Sequence, residues 1–436
     1  MDKTADHSRA FEDKLVFYTL ALTWPFYVCG GLYIVGPVLA VMLTGIIALR
    51  FYFSSARPGL AGTTPPPFGV WLWLAGMIIM LLVLQIGHLN QQLGFGQTLK
   101  STIGWAKGWA LFGMFPLAGA CLNIRLETVL RGCGYVSLTT LILLPLLVLS
   151  PYIGLPEILF VSPLKIVGGP GPEFFTVQLY SVEPGNGSFR WRFFAPWSPA
   201  AGYLGNMYLI LALADRRQFW KIVGVVAGIS IIILSKSRLA MLVGLTVWPL
   251  TIMLAGARRP VWWFAGSIVF LVGLPFVQPI LAYADRLVVS FNGFRANSSR
   301  VRNTLGDIAI DRWWTEAPVW GHGVVERGPH IVEFMPIGSH HTLYGLLFVK
   351  GAIGLVALAI PLVWSLVEFG VFAMLRSRPG RVGFALTLLM AMFTIGENIE
   401  ILAYLMWPGL LVTGLAFRHV HATNIRLRRR LAMIGV

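Results

Sequence analysis

Three short segments of the sequence place cationic side chains close together beside apolar stretches. They are residues 188–197, 235–238 and 299–344. A guanidinium group binds phosphate oxygens through two parallel hydrogen bonds and keeps its charge at any physiological pH. Several cations around one cavity would therefore hold a pyrophosphate group. The candidates for this role are Arg190, Arg192, Lys236, Arg238, Arg300 and Arg302.

Histidines in the third segment could supply acid–base chemistry. His340 and His341 come directly before an apolar run, and His322 lies between two glycines upstream. Because the pKa of histidine lies near neutrality, such a side chain can take a proton from a hydroxyl nucleophile. Together with the arginines, this predicts displacement of a lipid-pyrophosphate leaving group by a sugar hydroxyl. Taken alone, a histidine or an arginine at a helix end is more often an interface residue.

Further charged and aromatic residues could contribute to the same site. Glu397 and Glu400 are three residues apart and share one helical face. They could be solvated caps, ion-pair partners of the arginines or a second acid–base pair. Lys350 could line the cavity or extend to the membrane interface. Aromatic side chains could stack on sugar rings or form an interfacial belt, and those near the three segments are Trp191, Trp197, Trp313, Trp314 and Tyr344.

The composition determines which kind of fold must position these residues. Of the 436 residues, 56% are hydrophobic and 12% are charged, and the mean hydropathy is +0.73. A soluble domain carries about 25% charged residues, so a water-soluble globular enzyme is excluded. Because about 20 apolar residues cross a bilayer as a helix, the sequence predicts one all-α polytopic membrane bundle over residues 1–436. The twelve predicted spans are 15–29, 32–49, 68–89, 105–124, 135–152, 198–214, 222–235, 239–256, 261–281, 341–367, 382–396 and 401–417.

The basic residues indicate how this bundle is oriented. The formal net charge is +16, from 34 Lys and Arg against 18 Asp and Glu. With twelve spans, basic residues of the short loops collect on the side of both termini, and such residues are retained in the cytoplasm. The basic tail 418–436 agrees with this, and no small-residue cleavage site follows the first apolar run. We therefore expect cytoplasmic termini and two long periplasmic loops, 153–197 and, between spans nine and ten, 282–340.

Metal and nucleic-acid chemistry are not expected. Cys29, Cys121 and Cys133 form no Cys-x-x-Cys motif and predict neither a disulfide framework nor a metal site. The sequence has no Asp-x-Asp motif for the metal of a nucleotide-sugar donor. No soluble basic domain is predicted that could bind nucleic acid.

The run at 338–355 resembles the signature region of the O-antigen ligase and Wzy-type polysaccharide polymerase superfamily. There, a histidine and a small polar residue precede an apolar stretch that ends in Gly-x-x-Gly-Leu. Residues 235–238 resemble the Ser-x-Ser-Arg step of that superfamily, and Arg190 and Arg192 resemble its arginine-rich entry to the central spans. The superfamily's loop pattern of arginine, tryptophan, proline and Gly-x-Gly is matched by Arg300 or Arg302, Trp313, Pro318 and residues 321–323.

This resemblance implies a multi-spanning, GT-C-like, inverting glycosyltransferase that uses no metal or other cofactor. Its donor would be a glycan linked to undecaprenyl pyrophosphate at the periplasmic face of the bacterial inner membrane, and a chain-length regulator and a flippase would be partners. His340 matches the superfamily's histidine, and His341 occupies the position usually held by Asn or Ser, so either could be the base. Which of Arg300 and Arg302 is essential stays open.

Three functions remain open on the sequence. A polymerase would transfer the growing glycan from its carrier to the nonreducing-end hydroxyl of a new lipid-linked repeat unit, and the Gly-Ser-His context at 338–340 favours this function. An O-antigen ligase would use the same donor and transfer the glycan to lipid A–core. A twelve-helix transporter or flippase should show paired halves with midplane charges, whereas the two halves of this sequence do not mirror one another.

Overall fold

The computed structural model describes residues 11–56, 64–183, 187–273, 296–338 and 341–434, which form mostly helices. The first helices are α1 (Phe11–Ala21), α2 (Thr23–Val28), α3 (Leu32–Ala56), α4 (Phe68–Asn90), α5 (Gly94–Lys107), α6 (Trp109–Cys121) and α7 (Leu126–Leu149). They are followed by α8 (Ser198–Leu213), α9 (Gln218–Leu234), α10 (Arg238–Gly256), α11 (Pro260–Gly273), α12 (Ala296–Glu316), α13 (Thr342–Met374), α14 (Arg378–Phe393) and α15 (Ile399–Ile434).

Six of the described helices are long and apolar enough to cross a membrane, namely α3, α4, α7, α10, α13 and α15. A bilayer offers no water to backbone polar groups, and a helix satisfies these groups internally. The structure thus agrees with the predicted class, a helical membrane protein. Each of the twelve apolar segments coincides with helical structure; residues 274–281 of the ninth lie outside the described residues.

Two predicted spans are divided in the structure. The segment 15–29 is split into α1 and α2 at Leu22. The segment 105–124 is split at Gly108, whose φ of −116° and ψ of −95° are not helical. The residues before Gly108 belong to α5, an amphipathic helix with no buried residue. The sequence analysis missed α5 because its apolar residues run into the apolar stretch that follows.

The two long predicted loops contain secondary structure of their own. In the first, β1 (Ile158–Val161) pairs with β2 (Thr176–Gln178), and β3 (Tyr180–Val182) pairs with β4 (Phe189–Trp191), both antiparallel. In the second, α12 is followed by the antiparallel pair β5 (Glu326–Arg327) and β6 (Pro336–Ile337). These elements, rather than irregular loops, carry the arginines of the first and third cationic segments.

Helix α15 lies at the centre of the bundle, and 89% of the residues in its most apolar stretch are buried. It packs against α3, α6 and α14. The contact with α6 is close, because a Cβ atom on Gly119 would overlap the backbone of Leu411, and one on Gly414 would overlap the backbone of Pro116. Small residues allow such close helix packing within a membrane. The packing fixes α15, and with it the turn at 394–398, relative to the rest of the bundle.

Helix α13 is interrupted at Gly351, whose φ of 61° and ψ of −168° are not helical. Glycine adopts a positive φ readily, and a Cβ atom here would overlap the backbone of Val319. The backbone groups freed by the break bond to the loop 317–323, as a membrane segment requires. The bonds join His322 N to Phe348 O (2.8 Å), Gly323 N to Val349 O (2.9 Å) and Ala352 N to Pro318 O (2.9 Å).

Two buried carboxylates fix α1 to its neighbours. Glu12 is 0% and Asp13 is 1% exposed. Arg50 of α3 pairs with Glu12 at 2.8 Å. Asp13 accepts hydrogen bonds from the guanidinium and the backbone N–H of Arg125 and from the hydroxyl of Thr128. A buried carboxylate requires such partners, and here they tie α1 to the beginning of α7.

Candidate functional site

A cavity of about 1100 Å³ lies at one end of the helix bundle. The first residues of α3, α6, α8, α13 and α15, the last turns of α4 and one side of α5 form its walls. Residues 167–174 and 323–338 complete them. The helix termini that line the cavity all belong to the same end of the bundle. The cavity is therefore confined to that end within the part of the chain that the structure describes.

The walls of this cavity are strongly cationic. Its basic side chains are Lys100, Lys107, Arg190, Arg192, Arg302 and Lys350, and its acidic ones are Glu173, Glu397 and Glu400. Aromatic residues line it as well, among them Tyr33, Trp105, Trp109 and Trp197. Cations outnumber carboxylates, so the cavity favours an anionic ligand, and the aromatic rings offer surfaces on which a sugar can stack.

The structure brings together part of the predicted site. The predicted residues that line the cavity are Arg190, Arg192, Arg302, Lys350, Glu397, Glu400 and Trp197. The described candidates that do not line it are Arg300, Lys236, Arg238, His322, His341, Tyr344, Trp191, Trp313 and Trp314. His340 lies outside the described residues. The first and third segments thus meet at the cavity, whereas the cations of the second segment stay outside it.

Arg190 and Arg192 are placed by the strand β4 and the turn after it. The Nε atom of Arg190 donates to the carbonyl of Ser235 at 3.3 Å, so the second segment supports an arginine through its backbone. Arg192 donates from Nη1 to the side chain of Gln178 and to the carbonyl of Pro196, both at 2.8 Å. Burial lowers the pKa of Arg192 from its usual value. A poorly hydrated guanidinium of this kind gains much from an anionic partner.

Arg302 reaches the cavity from helix α12. Four residues later, Gly306 packs so closely on the ring of Tyr344 that a Cβ atom would lie 2.7 Å from it. Residues four apart share a helix face, so this contact with α13 also directs Arg302 towards the cavity. The Arg302 guanidinium is exposed, and no described residue forms a hydrogen bond or ion pair with it. Its charge is felt by Glu397 and His341.

Glu397 lies in the turn between α14 and α15 and is 7% exposed. Its Oε2 accepts a hydrogen bond from Nε1 of Trp197 at 2.9 Å. Its backbone carbonyl accepts from the hydroxyl of Thr342 at 2.5 Å and from the backbone N–H of Thr342 at 3.2 Å. Burial raises the pKa of Glu397 to about 7, although Arg302, the Trp197 hydrogen bond and Arg190 act in the opposite direction. The cavity therefore contains a carboxyl group that titrates near neutrality.

Lys350 and Glu400 form a second charged group in the cavity. Lys350 directly precedes the break at Gly351, and its side chain is 4% exposed. Its Nζ lies 3.8 Å from the carboxylate of Glu400 and 5.8 Å from the ring centre of Trp109. Of the two predicted positions for Lys350, the structure shows the one inside the cavity. The partner of Glu400 is this lysine and not an arginine of the third segment.

The described histidines of the third segment occupy positions beside the cavity. His322 is buried, with Nε2 2.8 Å from Glu316 and Nδ1 3.1 Å from the carbonyl of Phe348. These contacts hold the loop against the broken helix α13. His341 stacks on Tyr344 at 4.2 Å between ring centres, and its buried Nδ1 has no hydrogen-bond partner among the described residues. Burial, followed by the charge of Arg302, lowers the pKa of His341.

The sequence analysis missed two cavity lysines because it missed the helix that carries them. Lys100 and Lys107 lie on α5. Lys107 donates to the carbonyl of Gly168 at 3.0 Å, and its Nζ lies 5.9 Å from the ring centre of Tyr33. A signal for them exists in the sequence, since Phe95, Leu99 and Ile103 recur at every fourth position, which is helical spacing.

Within the described residues, no group of three or more His, Cys, Asp or Glu side chains is placed to hold a metal ion.

Comparison with known proteins adds no family to this description. No protein-family model matches the chain, and no curated protein matches it.

Proposed function

We propose that this protein is a membrane glycosyltransferase that moves a glycan from undecaprenyl pyrophosphate to a sugar hydroxyl, as a polymerase of lipid-linked repeat units. The observation that carries the proposal is the convergence of Arg190, Arg192 and Arg302 on one cavity. Arg190 and Arg192 come from the segment 188–197, and Arg302 comes from the distant segment 299–344. Arginine is suited to a pyrophosphate because its fork of donors matches the oxygens of that group.

The chemical argument concerns the leaving group. When the bond between the sugar and the pyrophosphate breaks, negative charge accumulates on the departing phosphate oxygens. Cationic donors placed around them in advance stabilise this charge, which is usually the largest contribution to such a reaction. Arg192 is already held in place by Gln178 and Pro196, so it loses little freedom when the donor binds.

Apolar surface around the cavity supports a lipid carrier. On α5, Phe95 is 82% exposed, and Leu99 and Ile103 of the cavity wall are exposed as well. In the loop that Lys107 of α5 contacts, Ile166 is 90% exposed, directly before the lining residue Val167. An isoprenoid chain could leave the cavity between these two apolar edges while its pyrophosphate meets the arginines.

The proposed topology has twelve spans and both termini in the cytoplasm, within a bacterial inner membrane. The cavity then faces the periplasm, where lipid-linked repeat units would be polymerised. This orientation is supported by the basic residues of the short loops, which lie at the end of the spans opposite the cavity. A cavity confined to one end of the bundle fits an enzyme better than a transporter, which needs access from both sides.

The test is a reconstituted reaction with purified protein and undecaprenyl-pyrophosphate-linked repeat units as the sole substrate. We expect a ladder of longer lipid-linked glycans. Arg302→Gln should lower the rate by about 10²–10³-fold, since it removes a cation from the leaving group. Arg300→Gln is the matched control, because Arg300 is an exposed arginine of the same helix that does not line the cavity.

The other outcomes separate the remaining functions. Transfer only after lipid A–core is added would replace the polymerase with a ligase, which shares the donor chemistry. Donor translocation across vesicles without transfer to any acceptor would favour a flippase. Equal rates for Arg302→Gln, Arg300→Gln and the unchanged protein would contradict the role of the arginines.

A further inference from the structure

Among the described residues, only one hydrogen bond holds the carboxylate of Glu397. Glu397 lines the cavity and is 7% exposed. Its Oε2 accepts from Trp197, while no described residue donates to Oε1. A carboxylate on the wall of a ligand-sized cavity, with Oε2 held by Trp197, can bond to a ligand through Oε1.

The structural role of residue 397 is carried by its backbone. The carbonyl oxygen accepts both hydrogen bonds from Thr342, and the hydroxyl of Thr342 in turn accepts from the backbone N–H of Ile399. These bonds use only backbone atoms of residue 397. They would join the beginning of α13 to the beginning of α15 whatever side chain residue 397 carried. The carboxyl group is therefore not needed for this connection, which leaves its chemistry to be explained.

We propose that Glu397 is the proton acceptor of the glycosyl transfer, an inference that rests on the function proposed above. The oxygen of the acceptor hydroxyl attacks C1 of the donor sugar. The bond between C1 and the pyrophosphate oxygen breaks, and its electron pair leaves with the pyrophosphate. The hydroxyl proton passes to Oε1 of Glu397 and then to water, so the carboxylate is restored before the next transfer.

The charges around Glu397 suit this role. Arg302 on α12 and Arg190 on β4 stabilise the carboxylate, as does the hydrogen bond from Trp197 before α8. On α13, Thr342 contacts the backbone of Glu397, and the nearby His341 has a lowered pKa. Burial dominates and raises the pKa of Glu397 to about 7. A base with a pKa near the working pH is about half ionised there and is still strong enough to take a proton.

The first variant is Glu397→Gln, which keeps the shape of the side chain and can still accept from Trp197. We expect unchanged donor binding and a loss of about 10²–10⁴-fold in transfer to the sugar hydroxyl, the usual contribution of a general base. Asp307→Asn is the control, because it removes an exposed carboxylate that does not line the cavity. It should retain hydroxyl transfer within about tenfold of the unchanged protein, a smaller loss than that of a general base.

A nucleophile that carries no proton separates a base from a structural residue. Azide attacks C1 and releases the pyrophosphate without any proton to remove. Glu397→Ala should therefore form the glycosyl azide at a rate near that of the unchanged protein with azide, while its transfer to the sugar hydroxyl stays lost. Loss of both reactions in this variant, with donor binding intact, would overturn the role as proton acceptor.

The pH dependence provides a further readout. Transfer by the unchanged protein should rise with pH about a midpoint near 7, the value to which burial raises the pKa of Glu397. Trp197→Phe removes a hydrogen bond that favours the carboxylate, so its midpoint should move to higher pH. A Glu397→Gln variant with full hydroxyl transfer overturns this inference alone, whereas an unchanged protein that neither binds the donor nor transfers overturns the proposed function with it.

Discussion

The charged residues of the cavity differ in how firmly the protein holds them. Arg192 donates to Gln178 and Pro196, and Lys107 donates to Gly168. Arg302 has no such partner among the described residues. A cation held by neighbours presents its donors in one direction, whereas an unbonded one can follow a ligand as charge moves within it. We therefore expect Arg192 to orient the bound donor and Arg302 to respond to the reaction.

A buried carboxylate away from the cavity offers a test of stability alone. Asp13 accepts three hydrogen bonds from Arg125 and one from Thr128 and is 1% exposed. Asp13→Ala should lower the free energy of unfolding by about 3 kcal/mol, because buried ionic contacts are lost and a cavity remains. Thermal unfolding in detergent measures this, with the exposed Asp307→Ala as the control. Equal melting temperatures for the two variants would contradict the assigned contacts.

Residue types alone predict the role of the arginines better than the roles of the carboxyl groups. The phosphate chemistry of arginine is apparent from the sequence, and Arg190, Arg192 and Arg302 do meet at one cavity. Burial and pairing are decided by packing between distant elements. The sequence therefore left several roles open for Glu397 and Glu400, whereas the structure distinguishes a buried carboxyl beside Trp197 from the partner of Lys350.

At the scale of elements, apolar runs predict helices well and helix breaks poorly. The described parts of the predicted segments are mostly helical, and six described helices are long and apolar enough to cross a membrane, because a long apolar run has few alternatives there. The break in α13 at Gly351 lies inside such a run, and its cause is the loop 317–323, which is distant in sequence. Local patterns contain no information about a partner that bonds from elsewhere.

The break itself gives a prediction. Gly351→Ala places a Cβ where the Val319 backbone lies and forces a positive φ on alanine. This combination of φ and ψ is almost exclusive to glycine and costs another residue about 1–3 kcal/mol, so we expect a lower melting temperature and a displaced Lys350. Gly45→Ala in α3 is the control, since a Cβ there meets nothing within 4 Å. A Gly351→Ala protein as stable as this control would mean that the break does not depend on glycine.

At the scale of the whole molecule, the orientation in the membrane can be tested with the natural cysteines. Cys29 is exposed and follows α2, where its carbonyl accepts from Ser162 at 3.0 Å, close to the cavity. Cys121 and Cys133 are buried. A membrane-impermeant maleimide should therefore label the protein in spheroplasts, and Cys29→Ser should abolish the label. Labelling only after the inner membrane is permeabilised would show the opposite orientation.

The interrupted helix also has a consequence for biogenesis. An unbroken α13 of 33 residues would be about 50 Å long at the usual rise of a helix, well beyond the ~30 Å hydrocarbon core. To the insertion machinery, this stretch presents one continuous apolar signal, and a straight helix would leave the ammonium group of Lys350 in lipid. The segment 317–323 leaves the ribosome before α13 does and can cap the break as the helix inserts. We therefore expect a circular permutant that delivers this segment last to misinsert.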